Sequence, residues 1–143
     1  MTVRYEVSVV VRDAPERVWA WWTDYGPVGH AETVGHGIGK ARREVLARDG
    51  ERIVLRESAM GMPFLHHEVE LHPERRAFRE TSELYDAWWS FEAHPEGTLV
   101  RREVEVHPRG AARFTPRALA RWAAQKDLEH HAKAYEREKG HFR

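Results

Sequence analysis

Val3, Tyr5, Val7, Val9 and Val11 alternate with Arg4, Glu6, Ser8 and Arg12, and Val10 is the one apolar residue on the outer set. Alternation with period two predicts a half-buried strand over residues 2–12. The period then changes. Val18, Trp19 and Trp22, with Trp21 beside them, form the apolar stripe of a helix over 14–24. Asp13 stands at its N-cap position, Pro15 in its first turn, and Glu16 three residues after the cap, as in a capping box. Tyr25-Gly26-Pro27 ends it. Residues 27–39 hold four Gly and two His, and read as a loop or a short second helix at a cavity mouth. Strand-like segments follow at 40–47, 52–59, 64–71, 77–84, 87–93 and 99–107. Asp49-Gly50 is a hairpin turn between the first pair. Gly61-Met62-Pro63 interrupts the sheet, and Tyr85-Asp86 turns the chain between the fourth and fifth segments. Pro108-Arg109-Gly110 ends the sheet. Thr115 then caps a last helix, with Pro116 at its first position, that runs to Glu138. Strands framed by two helices in this order predict a curved antiparallel sheet around a long C-terminal helix. Such a sheet leaves room for a ligand between its concave face and that helix.

Composition narrows the picture. With 143 residues the chain is most simply one domain, residues 1–143, long enough to bury a core. Its 23 basic and 23 acidic side chains cancel, which argues against a nucleic-acid footprint. Cysteine is absent, so there is no disulfide framework and no thiolate site, and the residues fit a reducing cytoplasm. No segment approaches the ~20 apolar residues of a membrane span. Six Trp are many for this length; they fill the core, or some of them line a pocket.

The junction Asp13-Ala14-Pro15-Glu16-Arg17-Val18-Trp19 resembles the strand-to-helix junction usual in the START-like superfamily, also called SRPBCC or Bet v 1-like. The segment Lys126-Asp127-Leu128-Glu129-His130-His131 is similar to the final helix of its polyketide cyclase/dehydrase-type members. The resemblance covers essentially the whole chain. It implies an α+β helix-grip fold of order β-α-α-β6-α, with an internal apolar cavity for lipids, polyketides, sterols or other small hydrophobic molecules. It implies no universal catalytic motif, so it names no reaction.

Alternation along the strands gives the side chains that would face such a cavity. His67 shares a face with Leu65, Val69 and Leu71. Arg102 shares one with Val100, Val104 and Val106. Glu80 and Ser82 go with Phe78 and Leu84, and Glu57 goes with Ile53, Leu55 and Ala59. Trp89, Phe91 and Ala93 make a wholly apolar face. A buried charge is costly unless it is paired, so these ionisable groups pair with each other or with a ligand. On the last helix Leu119, Ala120, Ala123, Ala124, Leu128, His131, Ala134 and Tyr135 fall on one side. Asp127 and His131, one turn apart, can share a hydrogen bond that orients the imidazole. That arrangement serves a general base, and it serves equally as a helix-stabilising pair. Trp122 falls opposite the alanine face, where it packs on the first helix, sits exposed or marks a partner surface.

The candidate ligand-binding set is therefore His67, Glu80, Trp89, Phe91, Arg102, Asp127, His131 and Tyr135, and His131, His67 and Arg102 are the candidates for catalysis. His66-His67 and His130-His131 invite a metal reading, but no close-spaced ligand set appears, and no metal or cofactor is expected. Three functions compete. In the first, the cavity binds a hydrophobic small molecule that Arg102 meets at a carboxylate, phenolate or enolate while Tyr135 and Trp89 cover its ring. In the second, a cyclase/dehydratase-like enzyme uses a cavity His as base. In the third, the chain is a protein-interaction module. The residues specify no oligomeric state.

Overall fold

The computed structural model describes residues 3–36, 39–59, 65–107 and 114–139. The strands are β1 (Val3–Val11), β2 (Ala31–His36), β3 (Gly39–Asp49), β4 (Arg52–Ala59), β5 (Leu65–His72), β6 (Ala77–Ser82), β7 (Tyr85–His94) and β8 (Gly97–Val106). Helix α1 (Pro15–Trp22) follows β1, and α2 (Arg117–Glu138) closes the described chain. All strand pairs are antiparallel, in the spatial order β1-β8-β7-β6-β5-β4-β3-β2. The edges are thus β1 and β2, and α2 packs against both. This is the helix-grip α+β fold.

The core follows the alternation. Val7, Val11, Ile53, Leu55, Val69, Phe78, Trp89, Phe91, Val100 and Val104 are buried on the concave face. Helix α1 lays Trp19 and Trp22 on that face. Trp19 meets the Phe91 ring edge-on at 5.4 Å, and Trp22 meets Phe91 at 5.6 Å and Trp89 at 6.0 Å. A bulge in β3 between Val45 and Ala47 adds bend to the sheet. The β7–β8 turn requires glycine. Gly97 has φ +141°, and a Cβ there would stand 2.2 Å from the Val11 carbonyl oxygen.

Several local expectations are corrected. The described residues between 27 and 39 form no second short helix: β2 starts at Ala31 and pairs with β3, leaving two α-helices among the described residues. The β6–β7 turn falls at Glu83-Leu84, not Tyr85-Asp86. There the Ser82 hydroxyl oxygen accepts the Leu84 and Tyr85 amides, each at 3.2 Å, and closes the turn early. Leu84 is consequently exposed while Tyr85 opens β7. Asp13 does not cap α1; Ala14 is the N-cap, with no side-chain bond. Thr115 does not cap α2 either, because Pro116 is the N-cap. Leu119 and Ala93 are exposed: Leu119 lies beyond the part of α2 that meets the core, and Ala93, on the same strand face as Phe91, lies at the end of β7. The expected breaks at Gly61-Met62-Pro63 and Pro108-Arg109-Gly110 lie outside the described residues. No helix among the described residues is long and apolar enough to cross a membrane.

Candidate functional site

Five adjacent strands each place one ionisable side chain on the concave face: Glu57 on β4, His67 on β5, Glu80 on β6, Tyr85 on β7 and Arg102 on β8. The register makes them neighbours. Leu55 pairs with His67, so Glu57 is the diagonal neighbour of His67. Glu80 pairs with Ala87, two residues from Tyr85, and Trp89 pairs directly with Arg102. Long side chains span such diagonals. The His67 Nε2 lies 3.0 Å from a Glu57 oxygen, off the line of a well-formed N–H bond. The Tyr85 hydroxyl donates to Glu80 Oε1 at 3.2 Å and lies 3.4 Å from His67 Nδ1. Arg102 Nη2 stands 3.6 Å from the same Glu80 oxygen. Its guanidinium lies over the Trp89 ring at 5.0 Å and the Tyr85 ring at 5.2 Å.

This chain of groups forms the floor of a cleft of about 400 Å³ between the concave face, the end of α1 and the C-terminal half of α2. That volume is within the ~300–1,000 Å³ of ordinary small-molecule sites. Its walls are aromatic: Trp22, Tyr25, Phe78, Tyr85 and Trp89. Two buried donors here have no protein partner among the described residues, the Trp89 indole N–H and the Arg102 Nε–H. Each residue is 8% exposed. An unmet buried donor costs about 1–3 kcal/mol. Both would donate to a ligand oxygen brought against them.

The lining is not the plain apolar wall that the resemblance implies. Asp24, Glu32, Glu57, Glu80, Asp127 and Glu138 line it, against Arg43, Arg102 and Arg137. Burial lowers the His67 pKa, but Glu57 and Glu80 raise it more, and the net shift is upward. Burial first, and then Glu80, hold Tyr85 well above the ordinary phenol range. Burial pushes Tyr25 up as well, assisted by Glu80. Tyr85 and Tyr25 therefore remain neutral donors at physiological pH.

Of the eight sequence candidates, six line the cleft: His67, Glu80, Trp89, Arg102, Asp127 and His131. Two do not. Phe91 lies beneath Trp19 and Trp22 in the core. Tyr135 faces the first helix, where its ring meets Trp21 edge-on at 5.4 Å and its hydroxyl donates to Asp13 at 2.5 Å. The Asp127–His131 relation also differs in detail. His131 Nδ1 lies 2.9 Å from the Asp127 backbone carbonyl and 3.8 Å from its carboxylate. With Nδ1 donating to that carbonyl, Nε2 is the basic nitrogen of the neutral ring. The His131 ring stacks on Trp22 at 5.9 Å. Sequence reasoning missed Tyr85, hidden by the misplaced turn, and Tyr25, read as a helix terminator. The Ser82-Glu83-Leu84 run was the available signal for the first. Among the described residues no cluster of three or more His, Asp or Glu could hold a metal ion.

No protein-family model matches the chain, and no curated protein matches it in sequence. Solved structures do match in shape. The ZhuI aromatase/cyclase from Streptomyces sp. R1128 superposes with a TM-score of 0.69 at 18% identity, over 96% of each chain. An AHSA1-like protein from Aeromonas hydrophila gives 0.62 at 14% identity, over 95% of this chain and 94% of that one. The di-domain aromatase/cyclase StfQ of the steffimycin biosynthetic pathway gives 0.60 at 15% identity, over 98% of this chain and 52% of that one. At these identities the likeness supports the helix-grip fold alone.

Proposed function

We propose that this protein binds a small aromatic, polyketide-like molecule in the cleft between the sheet and α2. The observation that carries this reading is the pairing of aromatic walls with the two unmet donors, Trp89 Nε1–H and Arg102 Nε–H. A flat ring fits between such walls, and its carbonyl or hydroxyl oxygens would accept from the two donors. The excess of carboxylates disfavours an anionic ligand. Arg102 already faces Glu80, so its charge is not free to hold a carboxylate. A neutral, oxygen-bearing ring is the better match. ZhuI and StfQ are aromatase/cyclases, which supports the same chemical class. The lack of cysteine fits a reducing cytoplasm as its setting.

The test is a tryptophan-fluorescence titration with flavonols, naphthols and hydroxyanthraquinones, since Trp22 and Trp89 both line the cleft. Trp89→Phe keeps a ring and removes the N–H donor. It is expected to weaken binding about fivefold, the value of one ordinary hydrogen bond. A panel without a binder, or binding indifferent to Trp89, would overturn the proposal.

The orientation of His131 favours a second reading, turnover of the bound molecule. Its Nε2 would take a proton from carbon α to a ligand carbonyl. The resulting carbanion would attack a second carbonyl carbon of the same chain, and the new alkoxide would recover the proton from Nε2. The Arg102 Nε–H, which has no protein partner among the described residues, would donate a hydrogen bond to the intervening enolate oxygen. His131→Ala should then abolish conversion of a linear β-polyketone while preserving binding. Slow uncatalysed conversion by the parent protein would exclude this step and leave the binding function intact.

A further inference from the structure

The cleft concentrates a negative charge that the chain as a whole does not carry. Acidic and basic side chains are equal in number over the chain. Along the cleft lining, carboxylates outnumber arginines two to one. Part of this charge is answered within the protein. Glu32 pairs with Arg43, Glu80 faces Arg102 at 3.6 Å, and Glu57 lies 3.0 Å from the His67 ring. The remainder sits on the helix side. Glu138 accepts from the Trp21 indole, which is a neutral donor. The Asp127 carboxylate lies 3.8 Å from His131 Nδ1 and shares the field of Arg102 with Glu80. Asp24 is exposed just beyond the end of α1. Against these three carboxylates the same side sets Arg137 and the His130 ring. A concave wall of low dielectric focuses such an excess onto whatever enters.

The sheet side makes a different demand. The Trp89 indole N–H and the Arg102 Nε–H have no protein partner among the described residues, and both residues are more than nine-tenths buried. They require an oxygen acceptor. A ring bearing a carboxylate would meet the donors but enter a negative field. A plain polyamine would suit the field but leave both donors unmet. The wall rings already hold cations: Arg43 lies over Tyr25 at 4.8 Å and Arg102 over Trp89 at 5.0 Å. We propose, resting on the binding function above, that the oxygen-bearing ring of the ligand carries a basic amine, protonated at neutral pH. Its oxygens face the sheet donors, and its ammonium lies on the helix side near Asp24, Asp127 and Glu138.

The experiment is calorimetric titration of the full chain with three naphthols that differ in one substituent: aminomethyl, hydroxymethyl or carboxylate. The aminomethyl compound should bind tightest, at least roughly fivefold above the hydroxymethyl one, and the carboxylate weakest. Added salt should narrow the gap. Asp24→Asn with Glu138→Gln keeps side-chain shape at two exposed positions, and Gln can still accept from Trp21. This pair should cut the preference for the amine by about threefold or more. A hydroxymethyl compound that binds as well as the amine would overturn the inference and leave the binding function standing. So would a gap indifferent to salt, or a preference that the double variant retains. Failure of all three compounds overturns the inference, and if the flavonols and hydroxyanthraquinones fail as well, the binding function falls with it.

Discussion

Whether His67 carries a proton is decided by opposing forces on one ring. Burial disfavours the charge, while Glu57 at 3.0 Å and nearby Glu80 favour it and prevail. The folded pKa therefore lies above the ordinary imidazole value of 6.5. The stability this contributes is fully present below the unfolded pKa and is lost as pH rises through the folded one. Glu57→Gln should lower the His67 midpoint in an imidazole NMR titration and flatten that limb of the stability curve; an unmoved midpoint would show that Glu57 is not the cause. A second residue joins the two helices. Tyr135, pushed up to about 12 by burial and by Asp13, donates its hydroxyl to that carboxylate. Asp13 is correspondingly lowered: burial opposes this, but the Tyr135 hydroxyl, the Ala14 amide and Arg17 outweigh it. Its stabilisation is present above the unfolded pKa and is lost as pH falls through the folded one. Tyr135→Phe should cost about 1.5–3 kcal/mol in urea unfolding at neutral pH, and less in acid.

Along the elements, the edge of β1 is covered by side chains in step with it. Arg117, Arg121 and Gln125 donate to the carbonyls of Arg4, Glu6 and Ser8 at 2.7, 3.2 and 3.0 Å. Four helical residues advance about 6 Å and two strand residues about 6.6–6.8 Å, so successive turns meet successive outward carbonyls. An open edge is a template for pairing with another chain. Arg121→Ala with Gln125→Ala should therefore raise concentration-dependent association in light scattering; a distribution identical to the parent's would show that the ladder does not guard the edge. Strand faces were legible in the sequence because alternation is a local signal: His67, Glu80 and Arg102 sit among the apolar residues that predicted their side. The caps were not legible, since Asp13 is drawn away by Tyr135, 122 positions along the chain. Tyr85 was lost to a turn whose position depends on the Ser82 hydroxyl. Strand β2 was lost because its Gly- and His-containing sequence becomes a strand by pairing with β3, a partner that local pattern does not reveal.

At the scale of the molecule, the sheet has two edges and one helix touching both, and the cleft lies where these parts meet. Its lining comes from the end of α1 (Trp22), β2 (Glu32, Thr33), β3 (Arg43), the central strands and α2 (Asp127, His131). An occupant therefore contacts elements far apart in the chain and holds α2 against the sheet. Because it would bind the folded state alone, it should stabilise by mass action, about 2.7 kcal/mol at one hundred times its dissociation constant. For a domain of this length that corresponds to a rise in Tm of roughly 8–10 °C. Hydrogen exchange should slow together at β2 amides and along α2, on opposite sides of the cleft, with little change on the convex face. A ligand found by the fluorescence panel that leaves Tm and these amides unchanged would be bound elsewhere. One that protects only the N-terminal half of α2 would be sitting on the exposed Leu119 and Trp122 face instead.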